Sequence, residues 1–493
     1  MTRKTQFIVA AAALISLAGP LAAQRKAVQS GNASKSTLDR TRIPTAAKAA
    51  DLRVPTWTKM TLADGAELVV SEKHDLPLVS FSINFVGGAA QYEPAEKTGL
   101  GSIVGQMLTE GTTHRSGDQI SNDLQLLGTG IGAGVSSESG RIGFTSTSDK
   151  FEKALTILAD VLENPSFPQE ALDRLKGRLN VQLLQNRDRT TGIAGVVFPK
   201  VLYTTSHPYG VSLTPETLAS ITRDDVVSFY KSYFQPGRAI ITVVGDITPA
   251  AAKQAIDREL AGWQTGGSMP NFAYPAVAAA KGTTIYLVDK PGAAQSTFAI
   301  GAPGPARDTP DYYAIRVMNE MLGVLFQSRL NHNIREVKGF SYGVFSNFAF
   351  GKGPGAFRAG GDIVTAKSDS ALIEFMKELR DIRGPRPPTD DELKQAKASL
   401  VQSLPENFSS VGGINGSIAS LYVQGLPQDY YQQFARAVNA VTADDVVRVA
   451  KHYIDPEHLA IVIVGDRTKI EAPLAATNIA PIVHLDVNGN PTG

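Results

Sequence analysis

Arg335 and Tyr342 stand seven residues apart, a permanent cation near the end of one predicted helix and a phenol at the start of one predicted strand. A guanidinium offers donors suited to a substrate backbone carbonyl. A phenol can donate to an oxyanion that develops during peptide hydrolysis. Gly339 between them lets the chain turn from helix into strand. Taken alone, the same two residues also fit a structural ion pair and a core tyrosine. Other chemistry is hard to find. The seven histidines, His74, His114, His207, His332, His452, His458 and His484, include no pair at the helical spacing of metal ligands. The lack of any cysteine removes thiolate ligands and thiol nucleophiles.

Two motifs mislead. Gly339-Phe-Ser-Tyr-Gly343 matches G-x-S-x-G, but a nucleophile elbow needs a strand before its serine and a helix after it. Here the order is reversed, which argues against Ser341 as a nucleophile. Gly128-Thr-Gly-Ile-Gly-Ala-Gly134 looks like a dinucleotide loop, yet it follows a helical pattern and leads into alternating residues, the opposite of such a loop. It reads as a helix-to-strand turn, and Gly351-Lys-Gly-Pro-Gly355 as a hairpin or loop tip that could also line a cavity.

The elements around these residues come in two copies. Residues 221–248 recur without gaps as 441–468, with 13 of 28 positions identical and an offset of 220. A tandem duplication therefore sets the architecture. In each copy a threonine with an acidic residue three positions on, Thr222 with Asp225 and Thr442 with Asp445, caps a helix. Pro236 and Pro456 end those helices. Residues 240–244 and 460–464 are continuous apolar runs that read as strands covered on both faces. Residues 67–86 and 284–301 alternate like strands, with Asp64-Gly65 as a turn into the first. Helical patterns cover 99–110, 118–127, 153–162, 169–186, 311–322 and 390–402. The fold class expected is α+β: two tandem homologous domains, each a mainly antiparallel sheet with helices on one face. Domain boundaries fall at 53–265 and 284–475, with a linker at 266–283 and a tail at 476–493.

The stretch Thr98-Gly-Leu-Gly-Ser-Ile-Val-Gly-Gln-Met-Leu-Thr-Glu-Gly-Thr112 resembles the signature helix of the pitrilysin/insulinase-like (inverzincin) zinc peptidases, G-L-x-H-x-x-E-H-x-L-x-x-G-T. Gly99, Leu100, Met107, Leu108, Gly111 and Thr112 fit the pattern. In the H-x-x-E-H motif two imidazoles at i and i+4 hold zinc, and the carboxylate takes a proton from the bound water. Here those positions are Ser102, Gly105 and Gln106. The third family ligand, a later glutamate, has Gln182 about where it would fall. The resemblance thus implies no metal and no cofactor in this chain. Residues 326–342 resemble a second signature, S-R-L-x-x-x-x-R-E-x-x-G-x-x-Y, through Ser328, Arg329, Leu330, Arg335, Glu336, Gly339 and Tyr342. His207-Pro208-Tyr209-Gly210 resembles a family turn.

The resemblance spans about residues 57–468 and is to the mitochondrial-processing-peptidase-like branch, whose shorter chains pair into a clamp. It implies that Arg335 and Tyr342 face the zinc helix of an opposing half-clamp. The expected function is a partner subunit, inactive alone, of a heteromeric zinc metalloendopeptidase. A homologous H-x-x-E-H subunit would hold the zinc, and unfolded or short peptides would be the substrates. The alternative is a purely scaffolding or peptide-binding homologue. Among 493 residues, 43% are apolar and 19% charged, and a net charge of +1 shows no polybasic face for nucleic acid. Residues 1–23 read as a secretory signal peptide: Arg3 and Lys4, an apolar run over 7–18, then Pro20-Leu21-Ala22-Ala23. That places the mature protein in the periplasm, with no stable membrane insertion, and leaves 24–52 as a flexible arm.

Overall fold

The computed structural model describes residues 52–263, 266–269 and 271–492. The signal peptide and nearly all of the arm lie outside the described residues. The first repeat holds β1 (Thr58–Thr61), β2 (Glu67–Glu72), β3 (Leu78–Val86), β4 (Gly132–Val135), β5 (Ser139–Thr147) and β6 (Ala239–Gly245). The second holds β7 (Thr284–Asp289), β8 (Gln295–Pro303), β9 (Ser341–Phe348), β10 (Ala356–Val364), β11 (Ala460–Gly465) and β12 (Ile482–Leu485). They form two six-stranded sheets, ordered β1-β2-β6-β3-β5-β4 and β12-β7-β11-β8-β10-β9. Most neighbours are antiparallel, but β6 runs parallel to β2, and β11 and β12 both run parallel to β7. The apolar runs β6 and β11 are buried along their whole length inside these sheets, as both-face coverage requires.

The residues expected to be a tail are part of the second sheet. β12 extends its edge beyond β7, and Lys200 and Arg187 of the first repeat donate to Asn488 at 2.8 and 3.0 Å. The described part of the linker carries no helix or strand.

Each repeat also supplies helices. In the first repeat these include α1 (Leu100–Met107), α2 (Gly117–Leu126), α3 (Phe151–Glu163), α4 (Gln169–Arg187), α5 (Thr190–Tyr203) and α6 (Arg223–Tyr233). In the second they include α7 (Tyr312–Asn319), α8 (Asp390–Ser403), α9 (Val411–Gln424), α10 (Tyr430–Ala440) and α11 (Ala443–Tyr453). Both expected capping boxes are present, at Thr222 with Asp225 and at Thr442 with Asp445.

Each sheet carries its own repeat's helices on one face, as expected, and its opposite face takes a helix exchanged from the other repeat. α5 lies on β8 and β11 of the second sheet, while α9 lies on β3 and β6 of the first. The two crossings differ in chemistry. Under α5 the contact is apolar: Ile193, Ala194, Val197 and Phe198 meet Val288, Ala299, Val462 and Val464. Under α9 it is polar. Asn415, fully buried, donates to the carbonyls of Ser80 and Thr242 at 3.0 and 2.9 Å. It accepts from the hydroxyls of Ser82 and Thr242 at 2.6 and 3.0 Å. A satisfied amide in this position fixes the register of one repeat on the other. Asn415→Leu removes these four bonds together, leaving the Ser82 and Thr242 hydroxyls only each other and Asn84, and should cost about 2–4 kcal/mol, read as a lower urea midpoint.

Candidate functional site

α1 starts at Gly99, whose φ of +100° suits only glycine well. The Glu93 carboxylate accepts from the amides of Gly99 and Gly101 at 3.0 and 2.5 Å, satisfying donors that a helix N-terminus leaves open. Burial lifts the Glu93 pKa above its ordinary value in spite of those two bonds. Ser102 and Gln106 share one exposed face of the helix, as their spacing predicts, and Gln106 Nε2 donates weakly to the Ser102 carbonyl at 3.3 Å. Gly105, at the buried flank of that face, is packed against the edge strand β4. A Cβ there would sit 2.6 Å from Gly134 Cα and 2.9 Å from Val135 N on β4. Strand backbone therefore occupies the space where the family's general base would begin. Gln182 is exposed on α4.

Zinc does not fit these residues. A hydroxyl, a glycine and two amides are not a zinc donor set, and among the described residues no group of three His, Asp or Glu could hold a metal. His207 is structural in its contacts: it is buried, its Nδ1 accepts from the Tyr209 amide at 3.0 Å, and burial pushes its pKa down.

The second signature is built around an irregular turn. Arg329–Asn331 is one helical turn, continued by a π-helical segment, His332–Val337. Gly339, at φ +64°, closes it by donating to the Arg335 carbonyl at 3.0 Å, and β9 begins at Ser341 as expected. Arg335 is half-buried. Its guanidinium lies 4.3 Å over the Phe326 ring, and its Nε is 3.2 Å from the Glu336 carboxylate. Tyr342 is 91% exposed; it is not a core tyrosine. The edge position of β9 and the turn at Gly339 put both side chains at one border of the second sheet. Ser341 is tied down, donating to the carbonyls of Asp362 and Gly343 at 2.7 and 2.9 Å.

Arg329, from the same signature, is a scaffold residue. It is buried, pairs with Glu392 on α8 at 2.7 and 2.8 Å, and donates to the carbonyls of Arg386 and Pro387. Burial alone would raise the Glu392 pKa; Arg329 and the Thr389 amide overcome it and bring it from 4.5 to about 2. The resulting stability is present above pH 4.5 and lost as pH falls towards 2. Glu392→Gln should therefore flatten acid unfolding in that window, followed by circular dichroism.

A role that the linear pattern did not reveal belongs to Glu138, in the β4–β5 turn. Its carboxylate accepts from the Lys352 amide at 2.8 Å and from the Tyr209 hydroxyl, binding the hairpin tip of the second repeat to the first. No spacing rule links these residues, which meet only in the folded chain.

Comparison with known proteins agrees with this geometry. Residues 68–202 match "Insulinase (Peptidase family M16)", and residues 220–400 match "Peptidase M16 inactive domain". The chain is 23% identical to "Non-peptidase homolog YmxG" of Helicobacter pylori, over 82% of this chain and 92% of that protein. It is 21% identical to a probable mitochondrial-processing peptidase subunit beta of Arabidopsis thaliana, over 84% of this chain and 79% of that protein. Its fold superposes on a solved peptidase M16 inactive domain from Pseudomonas fluorescens with a TM-score of 0.76 and 25% identity, covering 83% of this chain and 98% of that one. With both repeats matched and the fold shared almost end to end, this chain belongs to peptidase family M16.

Proposed function

We propose that this protein is the non-zinc-binding subunit of a heteromeric periplasmic zinc metalloendopeptidase. An H-x-x-E-H subunit holds the metal, and this chain presents Arg335 and Tyr342 to the bound peptide. The observation that carries the reading is a contrast within one chain. The retired metal helix is closed over at Gly105 by β4, whereas Tyr342 is left almost wholly exposed at the start of β9. A lone exposed ring is ordinary on a protein surface; what marks this one is its place in the second signature, seven residues after Arg335.

The test is co-expression with an H-x-x-E-H homologue from the same organism, followed by affinity purification and peptide cleavage assays. The two chains should co-purify in equal amounts, and peptide turnover should need both. A zinc chain fully active by itself, and unaffected by this one, would refute the proposal. Export is checked by fractionation and N-terminal sequencing, with cleavage expected after Ala23.

A second reading, a scaffolding or peptide-binding protein without a part in catalysis, draws on the Arg335 contacts. That guanidinium already has Glu336 and Phe326 as neighbours. Unchanged turnover in a complex carrying both Arg335→Ala and Tyr342→Phe would favour it.

A further inference from the structure

A cavity of about 270 Å³ lies between α7, α8, α9 and α10 of the second repeat, away from both signatures. Its rim, with Ser403, Asn407 and Gln424, is exposed to solvent. Its walls are aromatic, and the only charged side chains lining it are Arg307 and Arg316. Arg307 stacks on Tyr312, with the guanidinium carbon 3.5 Å from the ring centroid, and lies 5.3 Å from that of Tyr430. Arg316 Nη1 donates to the Tyr312 hydroxyl at 2.8 Å.

Two features of this cluster call for an anion. Arg307 Nη2 is buried without a hydrogen-bond partner, a costly state for a charged donor. Among the described residues, neither guanidinium has a carboxylate within ion-pair distance: Asp311 pairs with Arg448, and Glu320, close enough for Arg316 to draw its pKa down, makes no salt bridge to it. Glu320, one turn beyond Arg316, is buried, and burial raises its pKa. The local field is positive enough to act on Tyr312: burial would raise its pKa, yet Arg316, Tyr430 and Arg307 bring it below the ordinary value.

We infer that this cavity binds the C-terminal residue of a peptide, its carboxylate on Arg307 and Arg316 and an aromatic or large apolar side chain among Tyr312, Tyr430 and Phe434. Planar guanidinium groups match a carboxylate in geometry as well as charge. Aromatic walls give an apolar side chain a surface to bury, and the volume accommodates one such residue. That the ligand is a peptide rests on the function proposed above; the site itself is tested on the isolated chain, so either idea can fail without the other.

Isothermal titration of the purified full chain with N-acetyl-Ala-Phe, as free acid and as C-terminal amide, reads the assignment directly. The acid should bind at least about tenfold more tightly than the amide, because only the acid makes charge-assisted bonds to both arginines. Arg307→Gln and Arg316→Gln should each remove most of that preference while circular dichroism stays native. The acid-against-amide comparison needs no variant, so a variant that misfolds does not spare the inference. Equal binding of acid and amide, or no binding of either, overturns it. So does N-acetyl-Glu-Phe-amide binding as tightly as the acid, which would move recognition to a side-chain carboxylate. Inorganic phosphate displacing the acid at equal concentration would likewise show a general anion site and not a peptide terminus.

Discussion

Rebuilding the family motif in α1, as Ser102→His, Gly105→Glu and Gln106→His together, should yield a less stable protein that still holds no stoichiometric zinc. The first and third changes fall on an exposed face, and as a pair should shift stability by no more than about 0.5 kcal/mol. Gly105→Glu is different in kind. Its Cβ would meet β4 backbone at 2.6 and 2.9 Å, and backbone cannot swing aside as a flexible side chain would. Overpacking of this sort costs about 1–3 kcal/mol, and an unpaired carboxylate pressed into the same gap adds several more. Better helix propensity than glycine returns at most about 1 kcal/mol. Thermal unfolding should therefore show a fall of about 5 °C for the triple variant, and little change for the double histidine variant. Metal analysis after gel filtration should find zinc well below one per chain in both. Stoichiometric zinc at unchanged melting temperature would mean that β4 yields freely, and that the site is merely substituted and not closed.

In the complex proposed above, Tyr342→Phe should lower kcat by about a hundredfold while leaving KM within a small factor. The substitution removes one hydroxyl from a ring that is 91% exposed, so the fold has no stake in it. A donor aimed at an oxyanion acts in the transition state more than in the ground state, and losing one typically costs about 3 kcal/mol of barrier. Arg335→Ala should act more on KM, since its donors would hold a substrate carbonyl throughout. Arg335→Lys, which keeps charge but loses the planar fork and its stacking on Phe326, should recover only part of the loss. Steady-state kinetics of the reconstituted pair, at a fixed ratio of subunits, separate these outcomes. A tyrosine without effect would leave its exposure unexplained by catalysis and point to the scaffolding reading.

Much of the architecture was legible in the sequence because it rests on local patterns. The 220-residue repeat, the threonine-capped helices, the apolar strands β6 and β11 and the turn at Gly339 follow from spacing, propensity and backbone freedom within a few residues. The vacant metal positions were equally plain, since ligand chemistry is a matter of residue type. What the chain alone did not reveal involves residues far apart in it. The tail from 476 onwards supplies a sheet edge as β12, because Ile482–Leu485 finds an unpaired parallel neighbour in β7. The helix exchange between repeats, with Asn415 seated on Ser80, Ser82 and Thr242, could not be read from α9, where an asparagine in an apolar helix has no visible partner.

Sequence by itself determined the duplicated α+β fold and the replacement of the family's metal ligands at Ser102, Gly105 and Gln106, because both depend on which residues occur and at what short spacing. Tertiary structure alone decided that Gly105 lies under β4, that Tyr342 stands in solvent and that Arg307 and Arg316 share an aromatic cavity. Exposure and closeness across hundreds of residues are properties of packing, and no periodicity along the chain encodes them.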